Sequence, residues 1–173
     1  TTGFIDPFWE QPTLAFICNI HEIDGEEPRF EQDPRFVCDK AENILKTLGV
    51  GEEMLLGPEF EFYLFDEVTF TDSMNSATFN IESAAAHWST GSAEKGNGGY
   101  PMPLKSGYHG EQPSDRFASF RTELCEELFK MGIGVKYHHH EVGGPGQVEI
   151  ETEFDTPRRM ADKTMQIKYA TRN

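Results

Sequence analysis

Apolar and polar positions recur along this chain with two periods, and each period marks a kind of element. Between Met54 and Phe65 the period is two. Phe60, Phe62 and Leu64 alternate with Glu59, Glu61 and Tyr63, the pattern of a strand with one apolar face. Side chains two apart on a strand point the same way, so Glu59 and Glu61 share a face. Ile133–Val142 and Gln147–Phe154 read as two more strands, joined by a turn at Gly143-Gly144-Pro145-Gly146. The alternation returns there around Glu149, between Val148 and Ile150. Thr13–Ile20 is a short apolar run rich in strand formers and predicts a buried strand, and Val68–Phe70 with Thr78–Ile81 predicts a hairpin.

Elsewhere the period is three to four. Asp33-Pro34 supplies a cap followed by proline at the first helical position, and Val37, Ala41, Ile44, Leu45 and Leu48 follow at helical spacing up to a stop at Gly49. Ser114 or Asp115 opens a second helix through Phe117, Phe120, Leu124, Leu128 and Met131, ending at Gly132. Thr156-Pro157 starts a third, which runs to the last residue. Ala84–Gln112 is the least regular part, and the stretch GSAEKGNGGYPMP within it reads as a mobile loop. Strands interleaved with helices, one hairpin at least and no internal repeat predict an α+β fold with a largely antiparallel sheet and flanking helices. The chain opens on Thr1 and stops at Asn173 inside a running helix pattern, which suggests a stretch of something longer.

Charge narrows the partners. Fifteen Lys and Arg against 30 Asp and Glu give a net charge of −15, which argues against nucleic-acid backbones and anionic membranes. No apolar run approaches a membrane span. Cys18, Cys38 and Cys125 are odd in number, far apart and set in apolar patterns, so core thiols in a reducing cytoplasm are expected rather than disulfides or a nucleophile.

The glutamates carry the chemistry. Glu59 and Glu61, then Glu141 and Glu149, sit in extended segments flanked by apolar residues, where an unpaired carboxylate is costly to bury. Carboxylates gathered from separate strands repel one another unless a cation neutralises them, and Mg²⁺ or Mn²⁺ takes oxygen ligands of this kind. The bland alternative is a solvent-facing strand edge; the apolar opposite face and the neighbouring Tyr63 and Phe65 favour a lined cleft. His138-His139-His140 lacks the further ligands of a zinc site and is expected to pack and hydrogen-bond around the site, with Glu141 on the side of His139. Gly143–Gly146 lacks the lysine and hydroxyl of a phosphate loop and is a turn; no Ser-His-Asp set is visible.

GPEFEFYLFD and HHHEVGGPGQVEI resemble two signature segments of type I glutamine synthetases. The resemblance extends through KSGYHGEQPSD and DPRFVCDKAENILKTLGV and is weakest between Phe70 and Pro103. It implies that the chain is part of that family's catalytic barrel, with residues 1–12 a linker or remnant of the β-grasp domain and residues 13–173 the N-terminal part of the catalytic domain. It further implies an ATP-dependent ligase that phosphorylates the γ-carboxylate of glutamate and lets ammonia displace the phosphate. Glu61, Glu141 and Glu149 match ligands of a first metal ion, Mg²⁺ or Mn²⁺, and Glu59 matches a ligand of a second. Glu141 and Tyr108 match the ammonium pocket, and Phe154 and Lys136 fall near the nucleotide. Glutamate, ammonium and ATP are the implied substrates, and a dodecamer of two stacked hexamers the implied assembly.

The sequence departs from the family at three places. Lys136 stands where familiar bacterial members are acidic, the turn is Gly-Gly-Pro-Gly, and Tyr108 is followed by His109-Gly110 rather than Phe-Pro. The first metal's ligands are complete in these residues and the second's are not, so this stretch alone is expected to be inactive. Two other readings stay open: a γ-glutamyl-amine (polyamine) ligase of the same superfamily, and a non-catalytic structural relative, against which the four retained glutamates count.

Overall fold

The computed structural model describes residues 2–24, 29–91, 94 and 96–173, so part of the GSAEKGNGGYPMP segment lies outside the described residues. Among these the elements run β1 (Phe4–Asp6), β2 (Thr13–Ala15), α1 (Pro34–Thr47), β3 (Glu59–Tyr63), β4 (Glu67–Ser73), β5 (Ser76–Glu82), α2 (Ala118–Lys130), β6 (Val135–His140), β7 (Gln147–Thr152) and α3 (Pro157–Arg172). This is the expected α+β order with antiparallel pairing. The chain forms two compact units, Thr1–Pro58 with Leu124–Val135 and Thr152–Asn173, and Glu59–Glu123 with Lys136–Glu151.

In the first unit, α1 starts where the Asp33-Pro34 signal puts it, because the Asp33 side chain accepts the Arg35 N–H at 3.2 Å and Pro34 needs no partner. Charge ties α1 to α3. The Arg35 guanidinium grips both oxygens of Asp162 at 2.9 and 3.0 Å, and Glu42 accepts the backbone N–H of Arg158 at the start of α3, 3.0 Å away. The apolar stripe of α1 is not sealed: Val37, Ile44 and Leu48 are exposed and no residue of the helix is buried. The buried apolar residues here include Leu124, Cys125, Leu128, Met131, Ile133, Met160, Ile167 and Ala170.

Two expectations fail in this unit. The run Thr13–Ile20 yields only the three-residue β2, paired with β1, and Leu14, Phe16 and Ile20 are exposed rather than buried. An apolar run reports strand propensity but not what covers it. The cysteines also divide: Cys125 is buried, Cys38 half-buried and Cys18 exposed, so a core-thiol reading holds for Cys125 alone.

In the second unit, β3, β7 and β6 form one sheet in the order β3-β7-β6. Its apolar face sets Phe60 opposite Ile150 and Phe62 opposite Val148, with Val148 and Ile150 fully buried and Phe120 meeting Phe62 edge-on. The predicted hairpin is longer than its apolar core, β4 and β5 pairing from Glu67↔Glu82 to Ser73↔Ser76. Ala84–Gln112 carries no helix or strand among its described residues. No helix of the described residues is long and apolar enough to cross a membrane.

Candidate metal centre

The period-two pattern of β3 and β7 determines what the other sheet face carries. The antiparallel register places Glu59 opposite Glu151 and Glu61 opposite Glu149. Four carboxylates therefore occupy one face as two directly facing pairs, an arrangement that is repulsive unless something positive intervenes. Glu149 and Glu151 are buried, whereas Glu59 and Glu61 are exposed.

Residues from β6 and its turn complete the face. Glu141 is buried, its backbone N–H held by the Gln147 carbonyl at 2.9 Å, and one carboxylate oxygen accepts the Val142 N–H. His139 is buried with Nε2 3.6 Å from Glu149 Oε2, while its Nδ1 lies 3.0 Å from the His140 carbonyl oxygen. That carbonyl can only accept, so Nδ1 carries a proton, and Nε2 is the ring atom turned towards the glutamates. Two sets of ligand atoms each lie within 4.8 Å of one another: His139, Glu141 and Glu149, and Glu59, Glu149 and Glu151. Glu149 belongs to both.

The electrostatics reflect the crowding. Burial, with a hydrogen bond from Glu141 and the charges of Glu59 and Glu141, pushes the Glu149 carboxyl up to about 7 although nearby His139 opposes the shift. Glu151 is held in the opposite direction, below the usual range, because Lys136 and the Tyr137 hydroxyl both donate to it. The same hydrogen bond raises Tyr137 to about 12, burial and the Glu151 charge adding to it. One carboxylate of the face is thus neutralised by the protein, and its neighbour is left short of positive charge. Carboxylate oxygens with a single imidazole nitrogen suit a hard divalent ion.

Of the sequence-predicted residues, Glu59, Glu141 and Glu149 join these sets. Glu61 faces Glu149 across the ladder but spends one oxygen on the Gln147 side-chain amide, 2.8 Å away, and stands outside both. Tyr108 packs edge-on against His139 with ring centroids 5.0 Å apart. Lys136 is turned to Glu151, and Phe154, largely exposed, lies in the first unit. Sequence reading missed Glu151 and gave His139 only a packing role. Both were legible by parity, since Glu151 is two residues beyond Glu149 and His139 two before Glu141. The other two histidines behave as expected: His138 accepts from Arg121 Nε at 3.1 Å and His140 bonds backbone carbonyls.

The structure is similar to that of a Plasmodium falciparum glutamine synthetase determined by cryo-electron microscopy, with a TM-score of 0.82 over 98% of this chain and 33% of that one. Sequence identity there is 22%, so the likeness speaks for the fold, that of a glutamine synthetase. Among curated proteins, a 3-hydroxylaminophenol mutase of Cupriavidus pinatubonensis is 42% identical over 99% of this chain and 36% of its own length. A glutamine synthetase of Pseudomonas aeruginosa is 40% identical over the whole chain and 37% of its own length. The chain therefore spans a little over a third of the relatives it matches. The family model described as "Glutamine synthetase, catalytic domain" matches residues 31–173, and the chain belongs to that family.

Proposed function

We propose that the chain is part of an ATP-dependent glutamate–ammonia ligase, with residues 13–173 the N-terminal part of its catalytic domain and residues 1–12 a linker or β-grasp remnant. The observation that carries this reading is the β3–β7 register, which sets Glu59 against Glu151 and Glu61 against Glu149 beside His139 and Glu141. Glu141 and Glu149, joined by Glu61 from across the ladder, would hold one divalent ion and Glu59 would contribute to a second, Glu149 belonging to both sets of neighbouring ligand atoms. A bound Mg²⁺ or Mn²⁺ supplies charge stabilisation and alignment for a phosphoryl group passing from ATP to the glutamate carboxylate.

The chain's own residues then have defined tasks. Glu141 and Tyr108 both lie beside His139 and would receive ammonium, the carboxylate favouring loss of its proton. Lys136 is proposed to act near the nucleotide indirectly, by keeping Glu151 ionised, and Phe154 as an aromatic wall for the base. By family membership we further propose a cytoplasmic dodecamer acting on glutamate, ammonium and ATP. With little over a third of the relatives' length, these 173 residues alone are expected to bind the ion without turning over.

One observation favours a second reading, a γ-glutamyl-amine ligase. His109, which departs from the family pattern, packs with its ring centroid 4.2 Å from that of His139, a neighbour of Glu141. The full-length protein should be given glutamate, ATP and Mn²⁺ with ammonium, putrescine, ethanolamine or, in view of the mutase relative, 3-hydroxylaminophenol. Glutamine formed from ammonium and lost in Glu149→Ala is expected. Product only with an organic amine would establish the second reading. Conversion of 3-hydroxylaminophenol without ATP, and no ligase product, would refute both.

A further inference from the structure

His140 belongs to neither ligand set, yet it is fully buried between two segments that the site needs. Its Nδ1 lies 2.7 Å from the Glu141 carbonyl oxygen and 3.1 Å from that of Gly107. Both partners can only accept, so Nδ1 carries the ring proton, shared between them, and Nε2 is a bare lone pair with no hydrogen-bond partner among the described residues. The backbone of the same residue extends the pattern, its carbonyl taking the His109 N–H at 3.1 Å and facing His139 Nδ1 at 3.0 Å. Gly107 is buried, and a Cβ there would come within 2.8 Å of both His140 Nδ1 and Met102 Sδ. Only glycine lets the turn approach this closely.

We propose that His140 is a positioning residue, a buried side chain that hydrogen-bonds the Gly107–His109 turn presenting Tyr108 to the corner presenting His139 and Glu141. The relevance to metal and amine rests on the proposed function; the hydrogen-bond hub itself does not. A residue that merely filled the core would be replaced equally well by any side chain of similar bulk. A hub at Nδ1 is selective: the asparagine amide nitrogen sits where Nδ1 does, whereas the glutamine amide reaches the Nε2 position. The outer partners of ligand residues typically change metal affinity by about 10- to 100-fold when removed.

The test compares His140→Asn, His140→Gln and Gly107→Ala in the full chain, with far-UV circular dichroism as the fold control. It reads Mn²⁺ affinity by titration calorimetry, hydrogen exchange of the His109 amide, and the ¹⁵N shifts of His140 in the unaltered protein. The shifts should report a proton on Nδ1. The asparagine variant should rescue both readouts, staying within about 3-fold, while the glutamine and alanine variants should weaken Mn²⁺ about 10-fold or more and speed His109 exchange. Asparagine and glutamine variants that behave alike, or a proton on Nε2, would overturn the proposal. Should the unaltered chain ignore Mn²⁺, the proposed function falls, and His109 exchange with the His140 shifts still decides the hub. Should His140→Gln not fold, Gly107→Ala and the native shifts decide it.

Discussion

Replacing Asp115 with asparagine should destabilise the protein far more than an ordinary polar exchange. Asp115 and Arg121 are both 3% exposed and joined by two parallel hydrogen bonds of 3.0 and 2.5 Å. Arg121 Nε is committed to His138, and Asp115 Oδ1 also accepts the Phe117 N–H at 3.2 Å, just before α2. The amide keeps the shape but leaves the guanidinium buried and uncompensated, which costs about 3–5 kcal/mol. For a chain of this size that is a fall in Tm of about 6–20 °C at pH 7. The double variant Asp115→Asn, Arg121→Met removes both charges and should recover most of the loss, a departure from additivity that isolates the pair. Although burial opposes it, Arg121 holds the Asp115 carboxyl below its ordinary value. A depressed carboxyl stabilises the fold above its unfolded pKa, and that contribution disappears as pH falls through the folded value. Wild-type and Asp115→Asn melting curves should therefore converge in acid. Urea or thermal melts followed by circular dichroism measure all of this. A single-variant loss under about 1 kcal/mol at pH 7, or a double variant as unstable as the summed singles, would refute the reasoning.

Mn²⁺ at about 100 times its Kd should stabilise the chain by about 2.7 kcal/mol in a melt, and Glu141→Gln or Glu149→Gln should abolish the shift; an unchanged shift in both would remove them from the ligand set. Because the Glu149 carboxyl is raised to about 7, Mn²⁺ should bind more tightly as pH climbs from 5.5 to 8, with Glu149→Gln flattening the profile. Metal-free stability should run the other way: a raised carboxyl stabilises below its unfolded pKa and loses that contribution as pH rises through about 7, which paired melts at pH 5 and pH 8 would detect. Gly146→Ala should cost more than about 1 kcal/mol by denaturant melt, since Gly146 has φ 85° and a Cβ there would run into the Leu64 carbonyl.

The sequence made the β3 face readable because Phe60 and Phe62 alternate with Glu59 and Glu61 without interruption. It concealed the depth of that face. On β7 both sides are buried, so Glu149 and Glu151 are as enclosed as Val148 and Ile150, and no period distinguishes a covered polar face from an exposed one. The Asp115–Arg121 pair was equally hidden. Asp115 reads as a helix cap, but α2 begins at Ala118, and besides the Phe117 N–H the carboxylate takes a side chain six positions along. The exposed Leu14, Phe16 and Ile20 show the converse error, where apolar character was taken for burial. Family resemblance supplied the expected roles of Tyr108, Lys136 and Phe154, which residue pattern could not.

The far side of the sheet serves as a ruler for the near side. Phe60 against Ile150 and Phe62 against Val148 are the contacts that determine where β3 stops sliding along β7. A slip of β3 by one position would turn Phe60 and Phe62 outward and Glu59 and Glu61 inward, so the acids hold their spacing only while hydrocarbon holds the alignment. Trimming a methyl group at Ile150, on the face opposite the carboxylates, should then weaken Mn²⁺ binding at the proposed site without touching it.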